Sequence, residues 1–216
     1  MKILSMLFYF FAHHGAWSFL VLIFVGIVLS IWQKTITYVI LVFVLAIFNV
    51  FTGQFVNAIF LNQFGIRGSA IITLSKETSS TLNDQYIWDY DVVMKTADGK
   101  DVVTKFSTTT ASLYPVRNSI LIPPDGERFV VKYIPGFEKN IVIMTDESSY
   151  GKKRITHENL EPVQKARNQF ESSPSNESFR KAYADEIRTF LENPENATDT
   201  INLIQLKTIL SQLQNK

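Results

Sequence analysis

From Ile3 to Gln33 the chain runs for 31 residues without a full charge, and from Thr35 to Ile66 for another 32. A helix needs about 20 residues to cross a hydrocarbon layer of about 30 Å, so each block predicts one span. Neither block carries the polar stripe of a helix packed into a soluble domain. Ser18–Ser30 and Ile36–Phe48 are apolar all round, and lipid is the solvent that suits such a helix. The first block is also too long for a cleavable signal peptide, whose apolar region is about 7–15 residues. Only Gln33-Lys34-Thr35 separates the blocks, which predicts a tight antiparallel hairpin.

Trp17 and Trp32 lie 15 residues apart, about 22 Å along a helix axis, a spacing that suits indoles at two membrane interfaces. The first span is accordingly read as Ala16–Gln33 and the second as Ile36 to about Ala58. Ile3–Ala12 is either an extension of the first span or an interfacial helix broken at His13-His14-Gly15. Asn49, Thr52, Gln54 and Asn57 are spaced like residues that face a partner helix or a polar interface. No Asp, Glu, Lys or Arg lies within either span, so an ion or proton path through them is not expected.

After Gly68 the pattern changes to short β-branched and aromatic runs separated by turn residues. The expected strands are Ala70–Ser75, Tyr86–Lys95, Asp101–Ser107, Ser119–Ile122, Phe129–Ile134 and Asn140–Met144. Asp98-Gly99 supplies the positive φ angles of a two-residue hairpin, and Pro123-Pro124-Asp125-Gly126 and Pro135-Gly136 supply further turns. Strands this short and closely spaced predict a small antiparallel β-barrel or sandwich. Tyr86, Trp88, Tyr90 and Val92 alternate onto one strand face, read as core, with a stacking surface for sugars, bases or peptide side chains as the alternative. Asp89 and Asp91 share the opposite face beside Lys105. That is read as a solvated face, because a hard metal needs more oxygen ligands at defined spacing.

Beyond Lys152-Lys153-Arg154, read as a linker, the period becomes helical. Leu160, Val163, Ala166 and Phe170 form one stripe; Phe179, Ala182, Tyr183, Ile187, Phe190 and Leu191 form a second. Ser173-Pro174 reads as the cap of the second helix and Asn193-Pro194 as its end. Thr198 or Asn196 caps a third helix, in which Leu203, Leu206, Leu210 and Leu213 line up. That leucine stripe either packs within the chain or docks on a partner. The expected organisation is a two-span anchor over residues 1–66, a β-domain over 67–150 and a helical tail or bundle over 151–216, a membrane protein of α+β class.

Charge changes the picture mainly by exclusion. All 20 acidic residues and all but two of the 21 Lys and Arg lie from Arg67 onward. Residues 67–154 carry 12 basic and 11 acidic groups, and residues 155–216 carry 7 and 9. Nucleic-acid binding rests on a basic field, and neither half supplies one. Lys2, the amino terminus, Arg67 and Lys76 outnumber Lys34 in the hairpin loop, so the positive-inside rule places the soluble region in the cytoplasm. The chain has no cysteine, which excludes disulfides, thiolate metal sites and cysteine nucleophiles.

Phosphate-binding, dinucleotide-binding, zinc-hydrolase and serine-nucleophile motifs are missing. A Ser–His–Asp triad would have to rely on His157, which reads as a surface residue at a helix entrance. Gly68-Ser-Ala-Ile-Ile, Thr96-Ala-Asp-Gly-Lys-Asp and Gly126-Glu-Arg-Phe-Val-Val-Lys-Tyr-Ile-Pro resemble a widespread uncharacterised bacterial family of small membrane proteins over about residues 65–145. The resemblance implies a compact β-domain and a membrane home, and no activity; both spans preceding the domain and the helical tail depart from that family's layout. The expectation is a non-enzymatic inner-membrane protein of the bacterial envelope, without cofactor or metal, that binds the lipid bilayer and another protein as an accessory or immunity-type subunit. A ligand-sensing module using Tyr86, Trp88 and Tyr90 is the alternative, and self-association into a homo-oligomer stays open.

Overall fold

The computed structural model describes residues 1–214. The chain divides into two units, Met1–Tyr150 and Gly151–Lys216, and the apolar helices fall in the same unit as the strands.

The first unit opens with α1 (Lys2–His13), α2 (Gly15–Gln33) and α3 (Thr37–Phe64). The break between α1 and α2 falls at His14, whose φ of −124° and ψ of 57° leave the helical region. The hairpin from α2 to α3 turns on Lys34, which takes a left-handed conformation, while its N–H and that of Thr35 close back on Ile31 O and Ser30 O. Gly26 is what lets the two helices approach: a Cβ there would sit 3.1 Å from Val42 Cβ and 3.3 Å from Tyr38 O. α3 ends six residues beyond the expected end near Ala58. Its last turns leave the hairpin and pack Ala58, Phe60 and Leu61 against Ile134, Val142 and Met144 of the sheet. The sheet's apolar outer face supplies the tertiary partner that prolongs the helix.

Six strands follow: β1 (Ile66–Leu82), β2 (Gln85–Lys95), β3 (Asp101–Ser107), β4 (Leu113–Tyr114), β5 (Arg128–Ile134) and β6 (Phe137–Met144). They form one open sheet in the order β3-β2-β1-β5-β6-β4. The sheet is mixed, not purely antiparallel, because β4 runs parallel to β6. It curls far enough for Thr104 Oγ1 of β3 to donate to Lys139 O of β6 at 2.7 Å. The concave side is the core, built from Ala70, Ile72, Val92, Met94, Phe129, Val131 and Ile143. Ser119–Ile122 is irregular rather than a strand; Ile122 of this segment covers the core edge instead. Only Gly99 of the Asp98-Gly99 pair has a positive φ, and the connection is a longer loop closed by Thr96 N–H on Lys100 O.

The second unit is a helical bundle of α4 (Ser149–Ser172, beginning just before the unit boundary), α5 (Glu177–Glu192) and α6 (Thr200–Gln214). Its core joins Val163 and Ala166 to Tyr183, Ile187 and Phe190, and to Leu206. Three local expectations change. Lys152–Arg154 lie inside α4 and are not a linker. Asn176, not Ser173, caps α5 by accepting from Ser178 N–H and Phe179 N–H. Asp199, not Thr198 or Asn196, accepts from Asn202 N–H at the start of α6.

Candidate functional site

β1 and β2 run far beyond the rest of the sheet. β5 pairs with β1 only from Ile66 to Ile71, and β3 reaches β2 only as far as Asp89. The ribbon continues to a turn at Asn83-Asp84, both at positive φ (51° and 61°), the pair of angles that matches strand twist in a two-residue hairpin. This overhang decides the fate of the aromatic face. Tyr90, Val92 and Met94 point into the core, and Tyr90 stacks on Phe106 at 5.2 Å between ring centroids. Toward the tip β5 and β3 no longer flank the ribbon, and the same face is only partly covered. Trp88 is 37% exposed and Tyr86 54% exposed, so the expectation that all three rings are core holds for Tyr90 alone.

Tyr86, Trp88 and Tyr90 instead form the floor of an open cleft of about 520 Å³. Ile120 and Ile122 make its other wall, and Asp84, Gln85 and Thr108 supply polar groups along its edge. The isoleucine wall is fixed rather than loose. Arg117 donates two 2.6 Å hydrogen bonds to the Asp146 carboxylate, and Tyr150 Oη donates to Leu121 O at 3.1 Å. Trp88 is held by its own backbone, its N–H donating to Thr108 Oγ1 at 3.0 Å and its carbonyl accepting from Thr108 N–H at 2.9 Å. Such a cleft offers flat apolar stacking with hydrogen-bond partners at the rim, which suits a protruding side chain or a sugar ring.

On the opposite strand face Asp91 pairs with Lys105 at 2.9 Å, and Asp89 lies across from Lys76 in register. The hydrogen bond and charge of Asp91 raise the Lys105 ammonium above its usual value. Among the described residues no group of three or more His, Asp or Glu is placed to hold a metal. His157 is exposed in the body of α4, not at a helix entrance.

Leu203, Leu206, Leu210 and Leu213 face the bundle core, where Leu206 is 6% exposed. The uncovered apolar residues of α6 are Ile201 and Ile204, at 70% and 67%. The hairpin overhang and the Ile120 wall were missed in the sequence. Asn83-Asp84 carries the signal for the turn, and Ile120 carries none.

A buried amide cluster ties the helices to the sheet. Asn57 of α3 and Asn140 of β6 donate to each other's Oδ1 at 2.9 Å in both directions. Asn57 Nδ2 also donates to Ser112 Oγ at 2.8 Å, and Asn140 Nδ2 to Ser5 O and Oγ of α1 at 3.1 Å. All four residues are at most 4% exposed. Asn49 binds Phe11 O and Ser18 Oγ. These two amides therefore join α3 to its neighbours, whereas Thr52 bonds only Phe48 O of its own helix.

Comparison of the chain with protein families, with curated proteins and with solved structures found no match.

Proposed function

We propose that the chain is a two-span inner-membrane protein of the bacterial envelope whose β-domain docks a partner protein through the aromatic cleft of the β1–β2 hairpin. The exposed pair Tyr86 and Trp88 carries this reading. Aromatic rings left 54% and 37% exposed on the outer half of a strand face whose inner half is core are a surface kept apolar, and aromatic anchors in fixed pockets dominate protein interfaces.

The membrane part rests on α2 and α3, both long and apolar enough to cross a bilayer. Only 11% of each apolar window is buried by the rest of the chain, which argues against core helices of a soluble protein. Phe24, Ile31, Phe48 and Phe51 are each more than 60% exposed, and such a surface needs lipid around it. Charge asymmetry favours a cytoplasmic β-domain. The chain is read as non-catalytic, acting as an accessory or immunity-type subunit. A second reading, a small glycan or ligand stacked on the rings, is favoured by Asp84, Gln85 and Thr108 along the rim.

The test is photo-crosslinking in cells from a benzophenone amino acid at position 86, with position 103 on β3 as the exposed control. A discrete protein adduct from 86 that Trp88→Ala abolishes is expected. Equal adducts from 86 and 103, or an adduct indifferent to Trp88→Ala, would sink the docking reading.

A further inference from the structure

A second cleft, of about 430 Å³, lies where α1 gives way to α2. His13 and His14 line one side of it, and the outer face of β1, β2 and β3 lines the other, with Leu74, Lys76, Asp89, Asp91 and Lys105. Its place is set by the helix that follows. α2 begins at Gly15 and has 19 residues, about 28 Å of helix, which matches the hydrocarbon thickness of about 30 Å. Trp17 and Trp32, 66% and 74% exposed, mark the two ends of that length as indoles do at interfaces. The cleft therefore opens one residue before the point where the chain enters lipid, at the depth of the headgroups. This placement rests on the two-span reading above.

The chemistry of the walls is balanced. Two ammonium groups stand across the strands from two carboxylates: Lys76 lies opposite Asp89, and Lys105 forms with Asp91 the 2.9 Å surface ion pair described above, which a bound headgroup would exchange for its own charges. Lys76, Asp89 and Lys105 are exposed and Asp91 is half-buried. Leu74, 54% exposed on the same face, adds an apolar side chain to that wall. Burial pushes the His13 imidazole down to about 4, so His13 adds no cation at neutral pH and the balance of charge stands. A purely anionic headgroup would satisfy the lysines and repel the carboxylates. A trimethylated ammonium has no N–H to give a carboxylate. A phosphate with a primary ammonium satisfies both walls at once by charge-assisted hydrogen bonds.

We propose that this cleft binds the headgroup of a zwitterionic phospholipid, a phosphate joined to a primary ammonium, from the membrane that α2 enters. The phosphate lies against Lys76 and Lys105, and the ammonium against Asp89 and Asp91. Binding at this point would fix the height and tilt of the β-domain over the membrane, beyond what the two spans impose.

Native mass spectrometry of the full chain in mild detergent, with equal amounts of phosphatidylethanolamine, phosphatidylcholine and phosphatidylglycerol, tests it. Phosphatidylethanolamine is expected to be retained about tenfold better than either competitor, the effect of one hydrogen bond to a charged group. Asp89→Asn/Asp91→Asn is expected to abolish that preference and Lys76→Ala/Lys105→Ala to weaken retention of all three lipids, while the melting temperature stays within about 2 °C, since substitutions on a solvated strand face perturb stability little. Displacement of the lipid by free phosphoethanolamine would assign the preference to the headgroup; a preference untouched by it and by the aspartate double variant would overturn the proposal. Equal retention of the three lipids would overturn it too, while leaving the spans intact. Release of the chain from membranes by alkaline carbonate would overturn the spans and this proposal with them.

Discussion

Asn140→Ala is the sharpest test of how the helices are joined to the sheet. Asn140 is fully buried, and its amide makes both halves of the reciprocal pair with Asn57 as well as the contacts to Ser5. Truncation leaves Asn57 Oδ1 without its donor in a site closed to water. An unsatisfied buried group costs about 1–3 kcal/mol, and the lost bond to Ser5 Oγ adds about 1 kcal/mol. The expected destabilisation is therefore roughly 2–4 kcal/mol. Asn57→Ala should cost a similar amount, since it strands Asn140 in the same way. The double variant removes both stranded partners and should cost less than the sum, by about 1–3 kcal/mol of coupling. Guanidinium titration of the full chain in mild detergent, followed by tryptophan fluorescence, measures all four members of the cycle. Additive costs, or an Asn140→Ala cost below about 0.5 kcal/mol, would refute the argument that this cluster binds α1 and α3 to β6.

Two further outcomes follow from burial and charge. Trp88→Ala is expected to lower stability by about 1 kcal/mol or less because the ring lies beyond the core, whereas Phe129→Ala, at 1% exposure, should cost about 3–5 kcal/mol; equal losses in the same titration would make Trp88 a core residue. His13 is held by burial to about 4; its hydrogen bond with Tyr9 O is a smaller influence upward, and the His14 charge a smaller one in the same direction as burial. Its pKa is thus lower in the folded chain than the ordinary 6.5 of the unfolded one, so the unfolded state takes up the proton first. Stability is full above pH 6.5 and falls as the pH drops from 6.5 toward 4, by an amount on the order of 3 kcal/mol. Melting curves at pH 7.5 and 5 should diverge for the native chain and much less for His13→Gln; an unchanged difference would refute the assignment to His13.

The sequence makes the apolar helices legible because nothing competes with an uncharged run of 31 residues: lipid or a very large core must surround it. It makes β2, β3 and β5 nearly as legible, because alternation and turn chemistry agree there. It hides the length of β1. Lys76-Glu77-Thr78-Ser79-Ser80 reads as loop, yet Lys76 and Glu77 pair with Asp89 and Trp88, and after an irregularity over residues 78–80 the pairing resumes at Thr81, with no core to demand apolar residues. For the same reason the aromatic face was half misjudged. Alternation assigns Tyr86, Trp88 and Tyr90 to one side, but burial depends on where β3 and β5 stop, which is a property of other segments. Asn57 and Asn140 lie 83 residues apart, and their pairing leaves no local trace. The cleft between His13 and Lys105 is hidden likewise, since the curl of the sheet brings its walls together.

Everything proposed for the two clefts depends on α2 and α3 crossing the bilayer as a hairpin, and the absence of cysteine from the chain makes that directly measurable. Single cysteines at Lys34, in the hairpin loop, and at Asp84, in the β1–β2 turn, can be labelled in intact cells with a membrane-impermeant maleimide. Labelling of the Lys34→Cys chain in intact cells, and of the Asp84→Cys chain only after the cells are opened, is the expected result. Both positions labelled, or both protected, in intact cells would contradict the two-span hairpin.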